Sequence, residues 1–166
     1  MLYLVALASV IVDLYTKALA VSKLKDASVP LINDVLHFTY VQNTGAAFGI
    51  FKNGNVFFII ASILILAAIA VFLIKCKPSQ GMVKIAAGLI VGGALGNLFD
   101  RIFRGFVVDF IDFRLINFAV FNGADSFVCI GAGLLVLALI KEMLKEAKLA
   151  KAKAADSEEH NEDGQE

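Results

Sequence analysis

Four long apolar runs, separated by polar clusters, dominate the chain. The first covers residues 1–20, the second Val56 to Ile74, the third about 82–102, and the fourth opens near Ser126. A helix needs about 20 apolar residues to cross a bilayer, within a range of roughly 17–25. The first three runs meet that length, and Val56 to Ile74 holds no charged residue. The fourth is apolar only as far as Ile140, short enough to be read also as a buried or re-entrant helix. Ala124 and Asp125 extend it at one end and Lys141 can snorkel at the other, which predicts a fourth span over about 126–145.

The connectors carry their own patterns. Val35-Leu36-His37-Phe38-Thr39-Tyr40-Val41 alternates apolar with polar side chains and predicts a short strand. Asn33-Asp34 marks a turn before it and Lys52-Asn53-Gly54-Asn55 a turn before the second helix, so a β-region is expected over about 30–51. Residues 105–122 are mostly aromatic and aliphatic although they lie between spans. They are expected to form an amphipathic segment on the membrane surface or packed over the bundle. Gly88, Gly92 and Gly96 recur at spacings of four in the third helix, which lets another helix approach closely in lipid. Gly131 and Gly133 offer a matching small face on the fourth helix.

Composition agrees with lipid as the main solvent. Hydrophobic residues make up 59% of the 166 positions and charged residues 18%, against nearer half and a quarter in a soluble domain; mean hydropathy is +0.80. Lys75, Lys77 and Lys84 in one short connector, with Lys141, Lys145, Lys148, Lys151 and Lys153 near the C-terminus, hold most of the basic charge. The positive-inside rule puts them, and both termini, on the cytoplasmic side. The longer connectors then face outward. Ala18-Leu19-Ala20 resembles a cleavage site, but no Lys or Arg precedes the first apolar run and Asp13 and Lys17 interrupt it, so a retained helix is expected. Lys141 to Lys153 predicts an Ala/Lys/Glu helix continuing out of the membrane, the chain turns acidic and polar from Asp156, and 151–166 is expected as a disordered acidic cytoplasmic tail.

A formal net charge of zero gives no nucleic-acid footprint. Cys76 and Cys129 lack the spacing of a disulfide framework or a zinc site, and with only His37 and His160 available no metal or cofactor is expected. Neither H-E-x-x-H nor G-x-S-x-G is present. Two halves related by an internal repeat, the usual sign of a transporter, are not found either.

Ionisable groups at membrane depth are costly, and are therefore paired or functional. Asp13 and Lys17 lie four apart on one helix face and can form an ion pair. Asn97, Asp100 and Arg101 share the last turns of the third helix, where Asp100 and Arg101 can likewise pair. Asp109 lies in Val107-Val108-Asp109-Phe110-Ile111 with no base beside it. Asp125 opens the fourth helix as a candidate cap, with Ser126 as a competitor. Asp112 is a decoy three residues beyond Asp109. Two neighbouring carboxylates cannot both ionise, so a dyad shares a proton and can activate water while protonating a leaving group. The residues alone leave open whether Asp109 and Asp125 form one.

Five ordered blocks resemble the bacterial lipoprotein signal peptidases (signal peptidase II). They are Asp13-Leu14-Tyr15-Thr16-Lys17, Asn43-Thr44-Gly45-Ala46-Ala47-Phe48-Gly49, the run from Gly92 through Asn97 to Asp100-Arg101, Val107-Val108-Asp109-Phe110, and Phe121-Asn122-Gly123-Ala124-Asp125-Ser126. The resemblance covers about residues 1–140. It implies a membrane all-α core of four transmembrane helices with a small extracytoplasmic β-cradle and a short amphipathic surface helix. It also implies Asp109 and Asp125 as catalytic aspartates. Asp13, Lys17, Asn43, Gly45, Asn97, Asp100, Arg101 and Asn122 are implied as site-supporting, Asn43 and Arg101 being expected to touch substrate. The implied substrate is a diacylglyceryl-modified prolipoprotein, cut before its lipidated cysteine in the bacterial cytoplasmic membrane near the outer face, with membrane lipids as surroundings and no oligomer required. Asn43 to Phe48 is expected to act as a flap. Gly123 departs from the family's branched aliphatic residue and is expected to loosen the approach to Asp125.

Overall fold

The computed structural model describes residues 1–162 except Asp26, 46–53, Lys77 and Ser79, with side chains described as far as Ala150. Helix α1 spans Leu2–Leu24, strands β1 and β2 span Ser28–Ile32 and Leu36–Asn43, and helices α2 and α3 span Asn55–Cys76 and Gly81–Phe103. Strand β3 (Val107–Phe113), a single 3₁₀ turn (Arg114–Ile116) and helix α4 (Gly123–Glu162) complete the chain. Four of these helices, with α4 counted over Gly123–Ala150, are long and apolar enough to cross a membrane. Asn122 caps α4, so the fourth helix begins three residues before the expected Ser126. Its backbone stays helical to Glu162, where a disordered tail is expected. Ala, Lys and Glu, strong helix formers, dominate from Lys141 to Ala155, and nothing in the composition of 156–162 accounts for the last turns.

α3 is the central helix and touches the other three. The glycines make that possible, although the pairing differs from the expected one. Gly88, Gly92 and Gly96 face α1: a Cβ on Gly92 would stand 2.6 Å from the Ala6 carbonyl oxygen, and one on Gly96 would run into the Asp13 carboxylate. α4 instead lies against Gly93, where a Cβ would strike the Ala124 carbonyl, and puts its own Gly131 over Ala86 and Ile90. Among the described residues nothing lies within 4 Å of a Cβ on Gly133.

The strands form one antiparallel sheet in the order β1-β2-β3, with irregular register between Phe38 and Val41 on β2. Asp34, at φ +56°, makes the turn between β1 and β2, a conformation that short polar side chains tolerate. Ala20, Val108 and Phe110, flanked by Leu24, Phe38 and Tyr40, bury the sheet against the last turns of α1. Of the segment expected over 105–122, on the membrane surface or packed over the bundle, Val107–Phe113 is strand. Val107, Val108, Asp109 and Phe110 are covered on both sides, which removes the alternation that marks a strand in sequence. Among the described residues, Arg114–Ile116 is its only helical turn. Lys52 and Asn53, of the expected turn, lie outside the described residues.

Gly92→Ala forces a methyl into a backbone carbonyl that cannot swing away, and is expected to destabilise the protein by about 1–3 kcal/mol. Gly133→Ala meets nothing and gains helix propensity, so its midpoint should stay level or rise. Thermal unfolding of both variants in one detergent checks the pair; equal midpoints would remove α1–α3 contact as the reason for the glycines.

Candidate active site

The site grows outward from a buried cation. Lys17 is 0% exposed; its ammonium donates a hydrogen bond to Asn97 Oδ1 at 2.8 Å and forms ion pairs with Asp13 Oδ2 at 2.7 Å and Asp100 Oδ2 at 3.2 Å. Removing an ion from water costs several kcal/mol, and only full pairing offsets that. The expected Asp13–Lys17 pair is therefore present, and larger than an isolated pair. Asp13 Oδ1 also accepts the Ala124 backbone N–H at 2.8 Å, and Asp100 Oδ2 accepts that of Val108 at 3.0 Å. Asp100 does not pair with Arg101 as expected; its second oxygen takes Arg104 Nε at 2.8 Å. Consecutive helical residues point to different faces, whereas residues four apart share one. That rule, applied to Asp100, would have found Arg104.

Asn97 turns this cluster toward the carboxylates. Its oxygen faces the Lys17 ammonium, so its NH₂ points the other way and donates to Asp125 Oδ1 at 2.8 Å. Asn122 links both candidates. Its Nδ2 donates to Asp109 Oδ1 at 2.6 Å and to Asn97 Oδ1 at 3.2 Å. Its Oδ1 accepts the Asp125 N–H at 3.0 Å while its own N–H reaches Asp125 Oδ2 at 3.2 Å. This is the reciprocal cap of a helix start with Asn first and the acid three residues on. Asp125 thus belongs to the cap as its second member, and Asn122 rather than Ser126 is the first. Asn43, at the end of β2, donates to Asp109 Oδ2 at 2.8 Å and accepts the Gly45 N–H at 3.0 Å.

Asp109 and Asp125 line one cleft of about 500 Å³. Asn43, Gly45 and Arg101 border its polar side, and Phe118 to Phe121 with Ile130 form an apolar wall. Arg101 Nη2 donates to the Gly45 carbonyl at 3.2 Å, and its guanidinium lies 4.9 Å from the centroid of the Phe58 ring. Asn55, at the start of α2, holds the Arg101 carbonyl at 3.0 Å. Asp109 is 2% exposed. Burial pushes its carboxyl up to about 6, the charge of Asp125 adds to the rise, and the amides of Asn43 and Asn122 oppose it.

Among the sequence-predicted residues, Asn43, Gly45, Arg101, Asp109 and Asp125 reach the cleft itself, while Asp13, Lys17, Asn97, Asp100 and Asn122 stand behind it. Asp112 turns away to Arg114 and Thr39, and His37 pairs with it across the sheet. The expected flap is described only through Gly45; residues 46–48 lie outside the described residues. Gly123 faces α1, not Asp125: a Cβ there would stand 3.5 Å from Asp13 Oδ1, an ordinary contact. The looser approach to Asp125 expected from Gly123 therefore has no basis, since Asp125 is fixed by Asn97 and Asn122. Sequence reading missed the wall at 118–121, Asn55, Phe58 and Arg104. Only Arg104 carried a local signal.

The sequence profile of the family described as signal peptidase (SPase) II matches residues 5–141. A lipoprotein signal peptidase of Halothermothrix orenii is 48% identical over 140 residues, covering 84% of this chain and 94% of the relative. One from Brevibacillus brevis is 43% identical over 136 residues, covering 81% and 91%. A solved bacterial membrane enzyme, determined by the in meso method at 2.3 Å resolution, superposes with a TM-score of 0.77 at 40% identity, covering 84% of this chain and 87% of that one. With sequence and fold matched over most of its length, the chain belongs to the signal peptidase II family.

Proposed function

We propose that this protein is an aspartic endopeptidase of the bacterial cytoplasmic membrane, in which Asp109 and Asp125 cleave diacylglyceryl-modified prolipoproteins just before the lipidated cysteine. Membership of the signal peptidase II family supports the removal of lipoprotein signal peptides. The observation that carries the aspartic mechanism is that both carboxylates line one cleft and are joined through Asn122 and Asn97. Each carboxylate accepts two donors, and what distinguishes Asp125 is its place in the first turn of α4, where the helix dipole favours an anion. Asp125 acts as the base that takes a proton from water. The water oxygen attacks the peptide carbonyl, and Asp109, holding the dyad's proton, donates to the carbonyl oxygen. Proton return to the nitrogen then expels the amine. Arg101 and Asn43 bind the peptide backbone at the polar edge, and the apolar wall receives side chains of the signal peptide.

The orientation follows from charge. Lys75 and Lys84 mark the end of the bundle opposite the carboxylates, and Lys141, Lys145 and Lys148 follow the fourth span. Both termini are therefore cytoplasmic and the cleft lies near the outer face, where a substrate anchored by acyl chains presents its scissile bond. Membrane lipids are the surroundings of the helices, and no cofactor, metal or second subunit enters the reaction.

The direct test is cleavage of a diacylglyceryl-modified prolipoprotein by purified protein beside Asp109→Asn and Asp125→Asn. Both variants should fold, keep most hydrogen bonds and lose on the order of 10²–10⁴-fold in kcat. Near-normal turnover in either one makes that aspartate structural, and an inactive wild type on a properly lipidated substrate overturns the reading.

The pH profile tests where the proton sits. With Asp109 as the acid, kcat/KM is highest while that carboxyl is protonated and declines as pH rises through about 6. Asn43 donates to the carboxylate and so favours the charged form. Asn43→Ala should raise the Asp109 pKa and carry the alkaline limb to higher pH, whatever it does to the height of the profile. A limb that stays in place or moves to lower pH assigns the proton to Asp125.

A further inference from the structure

α2 is the least integrated helix. None of its residues is buried, and its main helix contact is with α3. Between α1, α2 and α3 lies a second cleft of about 650 Å³, remote from the carboxylates. Ala6, Val10, Leu66, Ile69 and Leu95 are among its walls, and every residue lining it is apolar except for the Tyr3 hydroxyl. At membrane depth such a space is filled by hydrocarbon, since water has no polar partner there.

At the end near Leu2 the cleft is continuous with a smaller and more polar hollow of about 400 Å³. Leu2, Tyr3 and Leu73 line both, and Lys84 and Pro78 close the smaller one. Among the described residues the Lys84 ammonium has no acidic partner. An apolar slot ending at the Lys84 ammonium and Met1, with the Tyr3 phenol on the same wall, has the layout of one acyl chain and its phosphate. Lys75, in the last turn of α2, lies at the same end, and Glu142, held by Gln80, is taken up by Lys145.

We propose that this groove binds an anionic phospholipid, with one acyl chain between α1 and α2 and the phosphate on Lys84 and Tyr3, as a structural site separate from the catalytic cleft. The occupant is a lipid and not a partner helix because the cleft narrows to a charged mouth at one end. A helix needs an apolar face along its whole length, whereas a phospholipid is apolar with one anionic end. The bound chain supplies the packing against α1 that α2 lacks.

Full-length protein in a neutral detergent, titrated with phosphatidylglycerol or with phosphatidylcholine of the same chains, tests this by native mass spectrometry and thermal midpoint. Phosphatidylglycerol should bind as a single tight equivalent and raise the midpoint, and phosphatidylcholine should do so only weakly. Lys84→Ala should weaken phosphatidylglycerol by about fivefold, the worth of one basic residue at an anionic lipid. Ala70→Phe, which fills the groove from the α2 side, should abolish the bound equivalent for both lipids. Lys84→Ala should cleave prolipoprotein in detergent as wild type does, because Lys84 lines no part of the catalytic cleft. Equal binding of the two lipids, or binding unchanged in both variants, overturns the proposal. A dimer in nanodiscs that Ala70→Phe dissociates would give the groove to a second copy and overturn it as well.

Discussion

The fold hangs on one ammonium group that has no access to water. Lys17 can stay charged inside the bundle only because Asp13, Asp100 and Asn97 surround it. Each of these partners ties down another element. Asp13 reaches the first turn of α4 through the Ala124 N–H, and Asp100 reaches β3 through the Val108 N–H. The two elements that carry Asp125 and Asp109 are thus fixed to the same cation. Close helix approach is a condition of this arrangement, and Gly92 and Gly96 supply it, since a side chain on either would push α1 away from α3. Packing and electrostatics therefore cannot be varied separately here.

Amides rather than charged groups carry this order to the cleft. Asn97 and Asn122 each offer an acceptor and two donors and do not titrate. A cation on one side of Asn97 determines which way its amide faces, and hence that Asp125 receives a donor. Asn122 then serves as helix cap and bridge together. A charged residue at either position would compete with the carboxylates for protons. The two acids also sit in unlike surroundings. Asp109 projects from a strand covered on both faces, and Asp125 lies in the first turn of a helix where the dipole favours an anion.

Much of this was legible in the sequence, for reasons that also explain what was not. The four helices follow from apolar runs of membrane length, and β2 from its alternation. β3 did not alternate because Val107, Val108 and Phe110 are all covered, so its composition suggested a surface segment instead. Asp13 and Lys17 were recognisable as a pair by their spacing, but Asp100 was matched to its neighbour Arg101 when the geometry of a helix favours Arg104. The glycine stripe announced a close contact without saying with which helix. The pairing of Asp109 with Asp125 across 16 positions of sequence is a tertiary fact. Only resemblance to a known family pointed to it, and of the wall at 118–121 only Phe121 fell inside a block of that resemblance.

α2 connects the two ends of the molecule mechanically. Its first turn holds Arg101 from two sides, with Asn55 on the backbone carbonyl and the Phe58 ring against the guanidinium. Its remaining turns lie beside the apolar cleft with no buried residue to fix them. Asn55 and Phe58 stand on the same unbroken helix of 22 residues as the turns beside the cleft. Arg101 in turn holds the Gly45 carbonyl, and Gly45 is bonded to the Asn43 side chain that contacts Asp109. The packing of an apolar helix far from the chemistry is in this way continuous with the placement of a donor on the buried carboxyl. The Arg101 guanidinium is the one cationic link on that path; the rest is a helix and a short chain of hydrogen bonds.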